Sequence, residues 1–494
     1  MTGKDLVIGL DSSTQSTKAV AWTREGEAVA EGRARHDMSM PGPGLAEQDP
    51  AQWWSALCEA VRAVTAQVGA DRIAGIAIAN QRETSAFLDA DWTPVRPAIV
   101  WVDERGRSQL ASLEARLGGQ RIHEITGKPF DLTPPISRYD WLREHEPETM
   151  RRAAHVVDAQ CYLVRRLTGR VATSWISADP SGVFDIREKR WSAPVCQAVG
   201  LSLSQLPEAL PAGTAAGKVT GAAAAETGLE AGTPLFLAGG DGQCAGLGTN
   251  AVRAGTIYLN LGTALIIGAW APEARISKSW RTMTSPTGQG YFCEGVQRTG
   301  AYLLNWLVDT FFGGRDDPQI FSRLDAQAAA IPLGAEGVTI SPYLSGCMDP
   351  HWDPDARAAI TGLGPSHTAA HIYRGALEAL TAESVRCLAA MERQGLEASR
   401  IAAVGGGAIN QLWMQMFADA SGLPVARSRS VEASALGAGM FAAAGLGWHP
   451  SVEAAAAAMS CEDPAIRPDP AARPAWAGLL ARQASVYRPS PVAA

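Results

Sequence analysis

Three places in this 494-residue chain put charged side chains where they could do chemistry. Asp241 is a lone carboxylate that follows an apolar run (235–238) and two glycines, within PLFLAGGDGQCAGLGTN, residues 234–250. The apolar run reads as a buried strand, and the glycines let the backbone turn where a side chain would clash. Asp241 would then stand at the carboxyl end of a strand, where open α/β sheets hold their ligands. It reads equally as a turn aspartate capping the next helix, since Gly-Asp-Gly is common turn chemistry. Arg82 and Glu83 follow a second apolar strand. Several fixed donors beside an acceptor can grip vicinal hydroxyls, although a surface ion pair looks the same in sequence. Asp11 closes a third apolar run, LVIGL, and opens the small-hydroxyl stretch SSTQST before Lys18.

The elements that must carry these groups alternate between strands and helices. Residues 6–22 read as strand, hydroxyl-rich turn and strand, a β-hairpin. Neither G-x-x-x-x-G-K-[ST] nor G-x-G-x-x-G is present there, so the P-loop and the dinucleotide fingerprint do not apply. A helix starts with Asp49 as N-cap and Pro50 in its first turn. Buried strands follow over 72–79 and 98–102, the second delivering Trp101, Asp103 and Arg105. Residues 110–210 read as helices and loops. A strand over 233–238 delivers Asp241. Helices are expected over 300–312, 366–394, 410–421 and 433–446, with a strand at 401–404 running into the glycines 405–407. The Ala- and Pro-rich tail beyond Trp448 has little pattern and is expected to hold a peripheral helix. LDSST (10–14) is echoed by LNLGT (259–263), each followed by an apolar strand ending in tryptophan, Trp22 and Trp270. Two copies of one unit imply two similar domains facing a cleft. Asn260 stands in the echo where the first copy has Asp11.

Composition bounds the partners. The chain is 46% apolar, enough for large cores, and 43 basic against 50 acidic residues give a net charge of -7. That balance argues against a nucleic-acid or anionic-membrane binder. Eight scattered cysteines with no Cys-x-x-Cys point to buried thiols in a reduced, cytoplasmic protein. No stretch reaches membrane-spanning length without polar interruption. His367 and His371, one helical turn apart, have no carboxylate or cysteine at ligand spacing, which disfavours a metal site.

Five segments in order resemble the FGGY carbohydrate kinases, the group holding glycerol kinase, xylulokinase and ribulokinase. They are the opening hairpin, NQRET (80–84), GDGQ (240–243), LGT (261–263) and VGGGAIN (404–410), with a Trp-Met-Gln helix after the glycines. The resemblance covers residues 6–447. It implies an α/β fold of two ribonuclease H-like (actin-like ATPase) domains flanking a catalytic cleft. The expected division is 1–247, 248–447 and a peripheral tail, 448–494. It implies Asp241 as catalytic base, because a sugar hydroxyl is a poor nucleophile until a positioned carboxylate accepts its proton. It assigns Asp11 to magnesium, and Thr14, Gln15, Ser16, Lys18 and Thr263 to the phosphates of ATP. Asn305, Gly406 and Asn410 match the nucleotide pocket. Arg82, Glu83, Trp101 and Thr133, with Asp241 itself, match the polyol pocket. Thr133 replaces a tyrosine and Gly242 a glutamine of glycerol kinases, and both changes remove bulk beside the substrate. Arg138 stands where a family signature has lysine, Gly375 where another has Ala or Ser, and residues 346–350 also depart from the usual pattern. The expected reaction is ATP-dependent phosphorylation of a small sugar or polyol, with a pentulose such as xylulose or ribulose ahead of glycerol or erythritol. An actin-like ATPase acting as chaperone or sensor is the alternative of another class, but it has no use for Arg82, Glu83 and Asp241 together. Many relatives are dimers or tetramers, so the resemblance allows a homodimer.

Overall fold

The computed structural model describes residues 3–430 and 432–488. Two six-stranded sheets form its centre. The first holds β1 (Leu6–Ser12), β2 (Ser16–Trp22), β3 (Ala28–Arg35), β4 (Ile73–Asn80), β5 (Ala215–Lys218) and β6 (Pro234–Gly240) in the order β5-β6-β4-β1-β2-β3. The second holds β7 (Gly255–Leu261), β8 (Leu265–Ala271), β9 (Arg281–Thr284), β10 (Tyr291–Gln297), β11 (Ala398–Val404) and β12 (Val425–Arg427) in the order β9-β10-β8-β7-β11-β12. In both, an antiparallel hairpin (β1–β2, β7–β8) lies beside a parallel pair (β4 and β6, β11 and β12). The duplication read from ten residues therefore extends over five strands of each sheet. Its register is kept too: Asp11 pairs with Ala79 of β4, and Asn260 with Val404 of β11.

The helices that matter here are α1 (Pro50–Val68), α2 (Asp241–Gly248), α3 (Ala369–Arg393), α4 (Gln411–Ser421), α5 (Ala433–Gly445) and α6 (Arg473–Gln483). Asp49 caps α1 by accepting the Ala51 N–H at 2.9 Å. α1 covers one face of the first sheet, and α2 with α5 covers the other. α5 thus returns to the first sheet after the chain has completed the second. Its composition explains this: ASALGAGMFAAAG presents almost no bulk. A Cβ at Gly9 of β1 would come within 1.8 Å of the Ala435 carbonyl oxygen, and one at Gly437 within 1.9 Å of that of Cys244. Backbones this close exclude any side chain, so glycine is required at both. α3 and α4 pack on the second sheet and α6 packs on them, around Trp413, Phe417, Leu380 and Trp476.

Two expectations need correction. The stretch 98–102 is a strand only over Ala98–Ile99, which pairs with Glu47–Gln48 outside both main sheets. Pro97 and the turn at Trp101 leave no room for a longer ladder. The tail carries two helices, Val452–Met459 and α6, and both contribute buried side chains to the cores. Alanine-rich composition hid their apolar faces. His371 caps α3 through Thr368 and lies 3.4 Å from Glu336, while His367 accepts the Gly364 N–H, so both imidazoles serve local structure. Among the described residues all cysteines are free, and no helix is long and apolar enough to cross a membrane.

Candidate functional site

Between the two sheets lies a cleft of about 270 Å³, walled on one side by Asp11, Thr14, Arg82 and Asp241, and on the other by Asn260, Arg281 and Arg298. Each wall is made by chain leaving a strand end. β1 ends beyond Asp11, whose Oδ1 accepts from Ser13 Oγ at 2.9 Å. β4 releases Gln81, Arg82 and Glu83, with Glu83 in the left-handed region at φ 55°. β6 ends at Gly240, and Asp241 is the first residue of α2.

Asp241 Oδ1 accepts the Gly242 N–H at 2.7 Å and stands 3.3 Å from Arg82 Nε. The side chain is still 38% exposed, and that exposure is to the cleft. Asp241 is therefore not the helix cap: Gly240 stands at the N-cap with no side-chain cap bond, and Asp241, inside the first turn, faces the gap. Burial between the domains raises its pKa, against the pull of Arg82. Burial, and then the neighbouring charge of Asp241, push Asp11 up to about 7. Two carboxylates facing one gap with so few donors suit a divalent cation. Among the described residues no three His, Cys, Asp or Glu groups gather for a metal, so most of its shell would be phosphate and water, the arrangement magnesium prefers.

Arg82 and Glu83 are not a surface pair. Arg82 Nη1 donates to Glu294 Oε2 at 3.0 Å and to Gln243 Oε1 at 3.2 Å, and Arg281 Nη1 donates to Glu83 Oε1 at 2.7 Å. Arg281 Nη2 also bonds Glu294. The four groups form a buried chain, Arg82–Glu294–Arg281–Glu83, that crosses from the first domain to the second and back. Burial alone would raise Glu294, but Arg82 and Arg281 outweigh it and hold the carboxyl at about 2. Glu83 is raised, burial outweighing Arg281 and Arg82. The network also explains Gly242: a Cβ there would meet Arg82 Nη2 at 3.0 Å and Glu294 Oε2 at 3.2 Å.

Trp101 is tied to the first hairpin, its Nε1 donating to Thr14 Oγ1 at 3.0 Å. Thr133 turns its hydroxyl to Asp131 (2.7 Å) and receives Arg298 at 3.4 Å. Behind them Arg138 donates to the carbonyls of Glu83 (2.8 Å), Thr133 (2.9 Å), Asp103 (3.1 Å), Trp101 (3.3 Å) and Leu132 (3.4 Å). One fully buried guanidinium thus fixes three loops of the pocket, a task suited to a planar fork and not to an ammonium point charge.

Of the residues expected at the site, Asp11, Thr14, Arg82, Glu83, Trp101, Thr133 and Asp241 line the cleft together. The remainder lie beyond that volume. Gln15 is exposed at the hairpin tip, and Ser16 is buried and accepts from Arg33 at 3.5 Å. Lys18 is held at 2.6 Å by Glu432, which accounts for its charge without a phosphate. Thr263 is exposed at the second hairpin, with its carbonyl taken by Gly300 and Tyr302. Asn305 is half-buried on the helix Ala301–Phe311, and Gly406 is open to solvent. Asn410 caps α4 through the Trp413 N–H and donates to Asp325 at 2.7 Å. Sequence reasoning missed Arg281, Glu294 and Arg298. The available signal was a charge inside or beside an apolar strand, as in YFCEGVQ.

The models describing the FGGY family of carbohydrate kinases match nearly the whole chain, the N-terminal domain over residues 6–248 and the C-terminal domain over 257–446. Among curated relatives, xylulose kinase of Bacillus subtilis is 28% identical over 90% of this chain and 89% of its own length. Glycerol kinase of Symbiobacterium thermophilum is 32% identical over 92% of each. The crystal structure of xylulose kinase from Rhodospirillum rubrum covers 98% of both chains with a TM-score of 0.90 and 29% identity.

Proposed function

The chain belongs to the FGGY family of carbohydrate kinases, and from that premise we propose that it transfers the terminal phosphoryl group of ATP to a hydroxyl of a pentulose such as xylulose, with magnesium. The observation that carries the acceptor class is the space beside Asp241, where the Thr133 hydroxyl turns to Asp131 and Gly242 adds no side chain. A pentulose fills that space, whereas glycerol would leave most of it in water. The relatives named xylulose kinase support the same choice.

In this reading Asp241 accepts the acceptor's proton. Its Oδ1 is occupied by Gly242 and Arg82, and its Oδ2 has no hydrogen bond to another described residue, so Oδ2 is the proton's destination. A carboxylate pulled upward by burial is a better base than one in water. Asp11 would hold magnesium, whose charge offsets that of the phosphates when bound. Ser13 and Thr14 at the hairpin turn would meet phosphate oxygens, and Trp101 would lie against the acceptor's carbon chain. The buried charge chain holds the domains together so that water does not compete as acceptor.

The test is ADP release from ATP with D-xylulose, D-ribulose, glycerol, erythritol and D-gluconate. A pentulose is expected to exceed glycerol at least about tenfold in kcat/KM, and glycerol matching the pentuloses overturns the acceptor assignment. Asp241→Asn is expected to lower kcat by about 10²–10⁴-fold with KM for both substrates little changed. Turnover near wild type would remove Asp241 from the chemistry.

A further inference from the structure

The cleft presents three guanidinium groups, and two of them are held in close carboxylate pairs. Arg82 and Arg281 are almost wholly buried and hold Glu294, Glu83 and Asp241. Arg298, which follows β10, is different. Its side chain is 25% exposed, it donates one long bond of 3.4 Å to Thr133 Oγ1, and it lies 3.9 Å from Asp131 Oδ2. That oxygen is already engaged by the Thr133 N–H (3.1 Å) and hydroxyl (2.7 Å). Arg298 therefore brings a fork of N–H donors to the wall of the pocket with little in the protein to receive them.

A guanidinium only donates, whereas a hydroxyl both donates and accepts. The partner that takes two of its N–H groups without wasting a donor of its own is an oxygen that only accepts, a carbonyl or a carboxylate. The division of labour across the cleft is then complementary: Asp241, which only accepts when ionised, faces the reacting hydroxyl, and Arg298 faces a non-reacting oxygen. We infer that Arg298 is a specificity-determining residue that reads an acceptor-only oxygen of the substrate and so separates carbonyl-bearing acceptors from polyols. Resting on the pentulose assignment, that oxygen is the ketose carbonyl; the carboxylate of an aldonate offers the same chemistry.

The experiment compares wild type, Arg298→Met and Arg298→Lys as purified full-length chains, with D-xylulose, D-gluconate and xylitol, the last scored as competitive inhibitor. Arg298→Met is expected to raise KM for D-xylulose about ten- to a hundredfold, the usual worth of a hydrogen bond from a charged donor. Ki for xylitol and KM for ATP should move less than about threefold. Arg298→Lys, with the charge but not the fork, should fall between. A wild type that prefers gluconate and loses that preference in Arg298→Met upholds the role of Arg298 and overturns the pentulose assignment. A wild type that prefers D-xylulose, with its KM unmoved in Arg298→Met, overturns the role and leaves the assignment standing. Equal losses on xylulose and xylitol, or a raised KM for ATP, also overturn it, because Arg298 would then be wall or phosphate contact.

Discussion

Glu294→Gln tests whether buried charge holds the two domains in register. Glu294 has no exposed surface, and both of its partners are guanidinium groups, Arg82 at 3.0 Å and Arg281. Its pKa falls from an ordinary 4.5 to about 2 despite burial. At about 1.4 kcal/mol for each tenfold change in proton affinity, that fall corresponds to about 3 kcal/mol in favour of the ionised form. Because the folded-state value is depressed, the contribution is complete above pH 4.5 and fades as pH drops toward 2. Glutamine keeps the shape and removes the charge. For a domain of roughly 200 residues, about 3 kcal/mol is about 6–12 °C in Tm. Scanning calorimetry should therefore show the variant about that much less stable at pH 8 and equally so at pH 5.5, with the deficit shrinking below pH 4. The group is out of water, so the deficit should be nearly the same at low and high salt. Arg82 also reaches Asp241 at 3.3 Å. Freed from Glu294 it would turn fully to Asp241, and kcat should fall while KM for ATP holds. A Tm within about 2 °C of wild type, or a deficit that salt abolishes, would refute the reasoning.

Two further outcomes follow from buried groups elsewhere. Arg138→Lys leaves at least two of five carbonyls without a donor, each worth about 1–3 kcal/mol when buried; Tm should drop by several degrees and KM for the acceptor should rise, and wild-type values for both would dismiss Arg138 as the clamp on Glu83, Trp101 and Thr133. Asp349 shares Arg386 with Glu383, at 3.4 Å and 2.7 Å respectively, and burial pushes it up to about 7 from 3.8. A raised carboxyl favours the fold below the unfolded value, and that advantage is lost as pH climbs through 7. Asp349→Asn should therefore gain stability over wild type between pH 4 and pH 8, to a ceiling of about 4 kcal/mol, and thermal melts showing no gain at pH 8 would contradict the assignment.

The duplicated hairpin and the strand ends bearing Asp241 and Arg82 were legible because each depends on local chemistry. An apolar run makes a strand wherever it lies, while Gly239–Gly240, expected as a turn, instead complete β6 where Ile176 and Arg82 come too close for a side chain. What remained hidden depends on partners distant in sequence. Arg82 with Glu83 suggested a hydroxyl grip, yet the residues that fix their geometry, Arg281 and Glu294, lie about two hundred positions away. Lys18 was placed among the phosphate contacts by the family resemblance, while its partner Glu432, invisible at that distance in sequence, comes from the segment leading into α5. That helix itself, small and featureless in sequence, gave no hint that it returns to the first sheet.

One feature of the interface makes closure and sheet protection the same event. β9 is the free edge of the second sheet, with an open row of backbone groups that would otherwise invite pairing. The first domain covers it: the Thr282 N–H donates to the Gly127 carbonyl at 2.8 Å, Lys128 Nζ donates to the Thr282 carbonyl at 2.7 Å, and the Thr284 N–H bonds Asp179. Arg281, at the start of the same strand, inserts into the charge chain under the cleft. Pulling the domains apart along this edge would strip partners from two backbone N–H groups and from the carbonyls of Thr282 and Gly127, besides splitting Arg281 from Glu83. Solvent can replace these partners only if the edge becomes fully wet. Opening to admit substrate is therefore cheapest as a rotation that pivots on β9 and widens the gap at the hairpins, where Arg298 reaches Thr133 across it by a single bond of 3.4 Å.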